Sequence, residues 1–179
     1  MKLKLIMNDS PKYPECKTLL VDMEDLNLNL KNKFVVNNKI LDLKSEFHIT
    51  LVGNDDALLL KNKFIEISNK DDLDSEYSNL YDEIQELVNN SKISFVDEFH
   101  ILEKKYSEEE IRISVVQIIK TDIIEKFRRF LKDKYRIDLS ESYPTPHITL
   151  YKELVNRGIG LYAKEDLEKY SIKKMSSLE

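Results

Sequence analysis

His147-Ile148-Thr149-Leu150, within the stretch PHITLY (146–151), repeats letter for letter His48-Ile49-Thr50-Leu51, within EFHITLV (46–52). The chain has 179 residues with only three histidines and five threonines. At that threonine content a given histidine meets a Thr two positions on in about 3% of cases, so composition alone does not supply two such pairs. A β-strand alternates its faces, so His48 and Thr50 project together while Ile49 and Leu51 project to the other side. His147 and Thr149 are likewise set against Ile148 and Leu150. The same count continues the polar face of the second strand into Tyr151. Pro146 biases the residue before it toward extended backbone and so favours entry into the strand.

One such strand is what β propensity produces unaided. Two, facing each other, form a complete acid–base device. Imidazole titrates near neutrality, so one histidine can act as base while the other is the conjugate acid. Hydrolysis of a phosphodiester needs that pair, one taking a proton from water and the other giving a proton to the departing oxygen. The threonine hydroxyls can donate to the non-bridging phosphate oxygens, whose charge must be held in the transition state.

Other chemistries find less support. A zinc site wants three or four His, Cys or carboxylate ligands, and neither C-x-x-C nor H-E-x-x-H occurs. The phosphate-cradling motifs G-x-x-x-x-G-K-[ST] and G-x-G-x-x-G are also absent from a chain with three glycines. No metal or cofactor is expected. Cys16 carries no signature of a nucleophile and reads as a small apolar residue. His100, in DEFHI (97–101), has no Thr two residues on and reads as structural.

Composition bounds the rest. Hydrophobic residues make up 41% and charged residues 34%, the balance of a globular domain with a real interior. The apolar stretch at the N-terminus is broken by Lys4 and is too short for a signal sequence. No window has the length of a membrane span, and the single cysteine excludes an internal disulfide framework. The expectation is a cytoplasmic protein with no membrane association and no obligate protein partner. A net charge of −5 argues against coating long nucleic acid. The one basic run (Lys126, Arg128, Arg129, Lys132, Lys134, Arg136) interleaves with a helical apolar stripe and reads as a solvated face.

The spacing predicts strands at Lys17–Met23 and Phe47–Val52, and a hairpin over 34–41 turning at Asn37-Asn38. It predicts helices over 56–68, along the stripe Tyr77, Leu80, Tyr81, Ile84, Leu87 and Val88, and over 123–135. Asp122 and Glu125 suggest a capping box for the last of these. Paired strands are expected at 93–106 and 111–119. The polar tail 171–179 is expected to fray. Strand, helix and HITL strand follow one another in the second half, whereas the first half has strands before His48, so the duplication is imperfect.

These residues resemble the 2H phosphoesterase family, named for two H-x-[ST] motifs in one chain. The motifs here are His48-Ile49-Thr50 and His147-Ile148-Thr149, each followed by Leu. Motif separation and chain length are also similar, so the resemblance covers most of the 179 residues in outline. It implies an α+β fold in a single domain, 1–179. Two pseudo-symmetric lobes of antiparallel sheet with outer helices would flank a central cleft lined by the motif strands. It implies His48, Thr50, His147 and Thr149 as catalytic residues. The glycine-bearing segment 156–162 is then expected to approach the cleft, with Arg157 or Tyr151 touching the substrate. The function implied is metal-independent hydrolysis of a nucleotide or RNA 2′,3′-cyclic phosphate. The alternatives are hydrolysis of 2′–5′ or cyclic oligonucleotide signals, and a non-catalytic RNA-end binding module. The lack of a first-half helix before His48 is a departure from the family pattern.

Overall fold

Strands β1 (Lys2–Asp9) and β2 (Lys17–Glu24) form an antiparallel hairpin with Leu5 opposite Val21. Strand β5 (His48–Val52) adds to the free side of β2, giving the order β1-β2-β5. The structure is a computed structural model and describes residues 1–24, 26, 28–67, 73–139, 144–153 and 158–178. It is α+β, with two antiparallel sheets and four helices among the described residues. The chain divides into two compact units, and the three-stranded sheet belongs to the first.

Helices α1 (Asn54–Ile67), α2 (Leu73–Asn89) and α3 (Ile123–Tyr135) complete that unit. Most of the apolar stripes that the sequence spacing predicts are buried, namely Ala57, Leu60 and Phe64; Tyr77, Leu80, Ile84 and Val88; and Ile123, Ile124, Phe127, Leu131 and Tyr135, while Ile67 is exposed and Tyr81 and Leu87 are half-buried. The stripes meet at Phe64, whose ring lies edge-on to Tyr77 at 5.3 Å and to Tyr135 at 5.4 Å between centroids. An edge strand exposes unpaired backbone groups, and α2 satisfies those of Leu5 on β1. The Leu5 amide donates to Gln85 Oε1 at 2.8 Å, and the Tyr81 hydroxyl donates to the Leu5 carbonyl at 3.0 Å.

The start of α3 differs from the expected capping box. Thr121 Oγ1 accepts from the Ile123 amide at 3.2 Å, while the backbone of Asp122 is already helical and its side chain makes no cap. The Asp122 carboxylate instead accepts from the Lys92 amide and pairs with Lys126. Four residues of the helix's basic run are matched by acids: Lys126 with Asp122, Arg129 with Glu125, Lys132 with Asp138 and Lys134 with Glu83. That pairing is the behaviour of a solvated helix face.

The second unit holds a six-stranded sheet in the order β3-β4-β8-β7-β6-β9. Its strands are β3 (Lys33–Val36), β4 (Lys39–Leu43), β6 (Ile93–Lys105), β7 (Ile111–Thr121), β8 (His147–Lys152) and β9 (Ser171–Met175), with the short helix α4 (Asp166–Tyr170). Asn37 and Asn38 turn the β3–β4 hairpin with φ of 49° and 63°, left-handed values that asparagine tolerates well. Among the described residues no helix is long and apolar enough to cross a membrane.

The expected frayed tail is corrected. Ser171–Met175 pairs antiparallel with β6. It carries little apolar alternation, because an edge strand gains its stability from the ladder and from side-chain hydrogen bonds. His100, buried on β6, provides one of these: its Nδ1 lies 2.7 Å from Ser171 Oγ, and its Nε2 lies 3.0 Å from Glu98 Oε1. Truncation after Tyr170 removes that ladder and leaves His100 without one partner. It should cost on the order of 2–4 kcal/mol in urea unfolding. A truncated chain as stable as the parent would mean that the tail contributes nothing.

Candidate functional site

Both HITL words form strands, and both strands are built the same way. In the first unit His48 lies opposite Asp22, Ile49 opposite Val21 and Thr50 opposite Leu20. The next pair is Val52 with Leu19, so two steps on β5 match one on β2 and Leu51 is an extra residue, a β-bulge. In the second unit His147 lies opposite Ile118, Ile148 opposite Gln117 and Thr149 opposite Val116. Tyr151 then pairs with Val115, so Leu150 is the extra residue at the same place in the word. The Lys44 amide donates to the Leu150 carbonyl at 2.8 Å, satisfying part of the backbone that the bulge displaces.

A bulge shifts the phase of a strand's alternation. Before it, Ile49 and Ile148 are buried while His48, Thr50, His147 and Thr149 keep part of their surface exposed. After it, two consecutive residues turn to the core: Leu51 with Val52 in the first unit, Leu150 with Tyr151 in the second. Tyr151 therefore leaves the histidine face on which strict alternation puts it. It is 1% exposed, its ring packs against Phe34 at 5.4 Å, and its hydroxyl donates to the Lys31 carbonyl at 2.9 Å. Its role in the fold is to anchor β8 to the start of β3. By the same shift Lys152, opposite Ser114, returns to the face of His147 and Thr149.

The histidine face of β8 is bordered by the segment after it. The Ile159 amide donates to the buried Ser114 Oγ at 3.2 Å. Ile159 and Leu161 then pack on Val116 and Leu102, with Leu167 and Tyr170 beside them. This holds Gly158 next to Thr149, where a methyl on Gly158 would stand 3.5 Å from Thr149 Cγ2 and 3.6 Å from its Oγ1. The glycine-bearing segment thus does border the second motif. Arg157 lies outside the described residues.

His147 is held in one tautomer. Its Nδ1 lies 2.7 Å from the Thr145 carbonyl, which can only accept, so Nδ1 carries the proton and the neutral ring keeps its lone pair on Nε2. Removal from water pushes this imidazole below its ordinary value, the Thr145 hydrogen bond partly opposes that, and the Lys44 charge adds to the lowering. A neutral imidazole with its Nε2 lone pair available is a proton acceptor. The thiol of Cys16 is buried and pushed up by desolvation, which suits a packing residue and not a nucleophile.

Asp22, Ser114 and Lys152 are the members of these faces that sequence reasoning missed. Each sits on a strand remote in sequence from its histidine or beyond a bulge, so only the register brings it in. Among the described residues no group of three or more His, Cys, Asp or Glu is placed to hold a metal ion. No family model, curated protein or solved structure matches the chain.

The lowered His147 value has a consequence for stability. A histidine that protonates less readily folded than unfolded leaves stability unchanged at high pH. Stability then falls as the pH drops below about 6.5, the unfolded value, until the folded value is passed. His147→Gln removes that loss. The difference in unfolding free energy between parent and variant should be flat above about pH 7 and should shift in the variant's favour below it. A difference constant from about pH 5 to 8 would contradict a desolvated, neutral His147.

Proposed function

We propose that the protein is a phosphodiesterase of the two-histidine type. The carrying observation is that both units hold the same strand with the same bulge, and each presents a half-buried imidazole beside a hydroxyl. In this reading the two motifs act together on a single phosphate. One imidazole takes a proton from the attacking water. The other gives a proton to the leaving ribose oxygen, so the cyclic ester opens to a phosphomonoester with no net change in the protons of the enzyme. Thr50 and Thr149 donate to the non-bridging oxygens as charge builds on them.

The substrate proposed is a nucleotide or RNA end bearing a 2′,3′-cyclic phosphate, opened without a metal ion. A phosphate on a short strand needs only local donors, which fits a chain with net charge −5 in which Lys126, Arg129, Lys132 and Lys134 of the helical basic run are paired with acids. A panel of cyclic phosphates, 2′–5′ oligomers and cyclic oligonucleotides, read by product mass, tests the choice.

Removing a general acid or base costs about 10²–10⁴ in rate. His48→Ala and His147→Ala should each lose that much in kcat, with the double variant barely worse, because both act on one bond. Thr50→Ala and Thr149→Ala should lose on the order of 10–10³. His100→Gln, remote from both motifs in sequence, should stay within a few-fold of the parent. Activity that EDTA abolishes and a divalent metal restores, or turnover that survives loss of either motif histidine, would refute this mechanism.

A further inference from the structure

The two motif strands match from His to the bulge but differ in what faces the histidine. His48 has Asp22 directly across the ladder, while His147 has Ile118. Directly opposed residues in an antiparallel pair share a face, with Cβ atoms about 4.5–5.5 Å apart. A carboxylate at that range favours a charged imidazole, whereas an aliphatic chain there favours a neutral one. We infer that Asp22 is a positioning residue that keeps His48 protonated, which makes His48 the proton donor of the pair and His147 the acceptor.

The charged groups on this face of the first unit's sheet fit that role. Asp22 is half-buried and is flanked on β1 by Lys4, opposite it in the register. Lys4 reaches Glu24 at 3.4 Å, and Lys2 reaches the same carboxylate at 4.0 Å, so a second acid draws both lysines. Asp55, at the start of the helix that follows β5, is held by Lys12 and the Tyr13 hydroxyl. In the second unit most of the described groups acting on His147 oppose a charge. Ile118 is apolar, Lys44 repels a cation, and burial removes water. Among the described residues the Thr145 carbonyl favours the protonated ring, and by holding Nδ1–H it leaves Nε2 as the acceptor.

The assignment rests on the proposed phosphodiesterase reading, and its test can separate the two. The rate requires the acceptor to be neutral, which sets the acid limb of the pH profile, and the donor to be protonated, which sets the alkaline limb. Asp22→Asn keeps the shape of the side chain and removes its charge. It should move the alkaline limb of kcat/KM down by about one pH unit and leave the acid limb in place, with Asp22→Glu restoring the parent profile. Ile118→Asp should move the acid limb up. NMR titration of the imidazole C–H signals reads the same claim without turnover. His48 should keep its proton to higher pH than His147, and Asp22→Asn should shift His48 alone.

If Asp22→Asn moves the acid limb, or leaves the His48 titration where it was, the inference is overturned while the phosphodiesterase reading stands. If the two titrations behave as described and no phosphodiester in the panel turns over, the pairing of Asp22 with His48 stands and the phosphodiesterase reading falls.

Discussion

An antiparallel ladder has one backbone pair per step, and a residue inserted on one side must be left out of the count. Both motif strands carry such a residue immediately after the threonine, Leu51 on β5 and Leu150 on β8. Each strand must serve two environments along one short segment. Its first half presents His and Thr on one face with an Ile buried on the other, and its end turns inward as a pair of adjacent apolar side chains. Without the extra residue, Val52 and Tyr151 would fall on the histidine face and displace the space beside the threonine. The bulge therefore decides both what the core receives and what remains available for chemistry.

The surroundings of the two strands diverge from that shared plan. β5 is an edge strand, backed by α1 and bordered on its polar face by the acidic and basic residues of β1 and β2. β8 is an interior strand, with β4 on one side and β7 on the other, and the segment around Gly158 borders its threonine. Burial in an interior strand is what desolvates His147, whereas His48 stands on an edge strand opposite Asp22. The same strand thus stands in two different electrostatic settings, and the proposed division into proton donor and acceptor draws on that difference.

The amphipathic stripes of α1, α2 and α3 and the Asn37-Asn38 turn were legible because each depends on neighbours close in sequence. The segregation of His and Thr from Ile and Leu was legible for the same reason. Tyr151 was not, since a count of two along a strand has no term for an inserted residue. Asp22 was also hidden. Nothing in residues 17–24 marks it as the cross-strand neighbour of a histidine that follows it by 26 positions, because β3 and β4 intervene. β9 escaped because a polar edge strand shows no period. The Asp122 box failed to form because a backbone amide from Lys92 and the Lys126 ammonium compete for the same carboxylate. In each case the winning interaction is long-range or charge-assisted, and local pattern does not weigh it.

The central claim is that His48 and His147 serve one phosphate. Titration of the protein with a nucleoside 2′-monophosphate, followed through the imidazole C–H signals of both residues, tests it most directly. The account predicts that both histidines shift along a single saturation curve ending at one equivalent of ligand, and that replacing either one by alanine weakens the response of the other. Two independent curves, or a ligand that shifts one histidine and leaves the other unchanged at saturation, would contradict it.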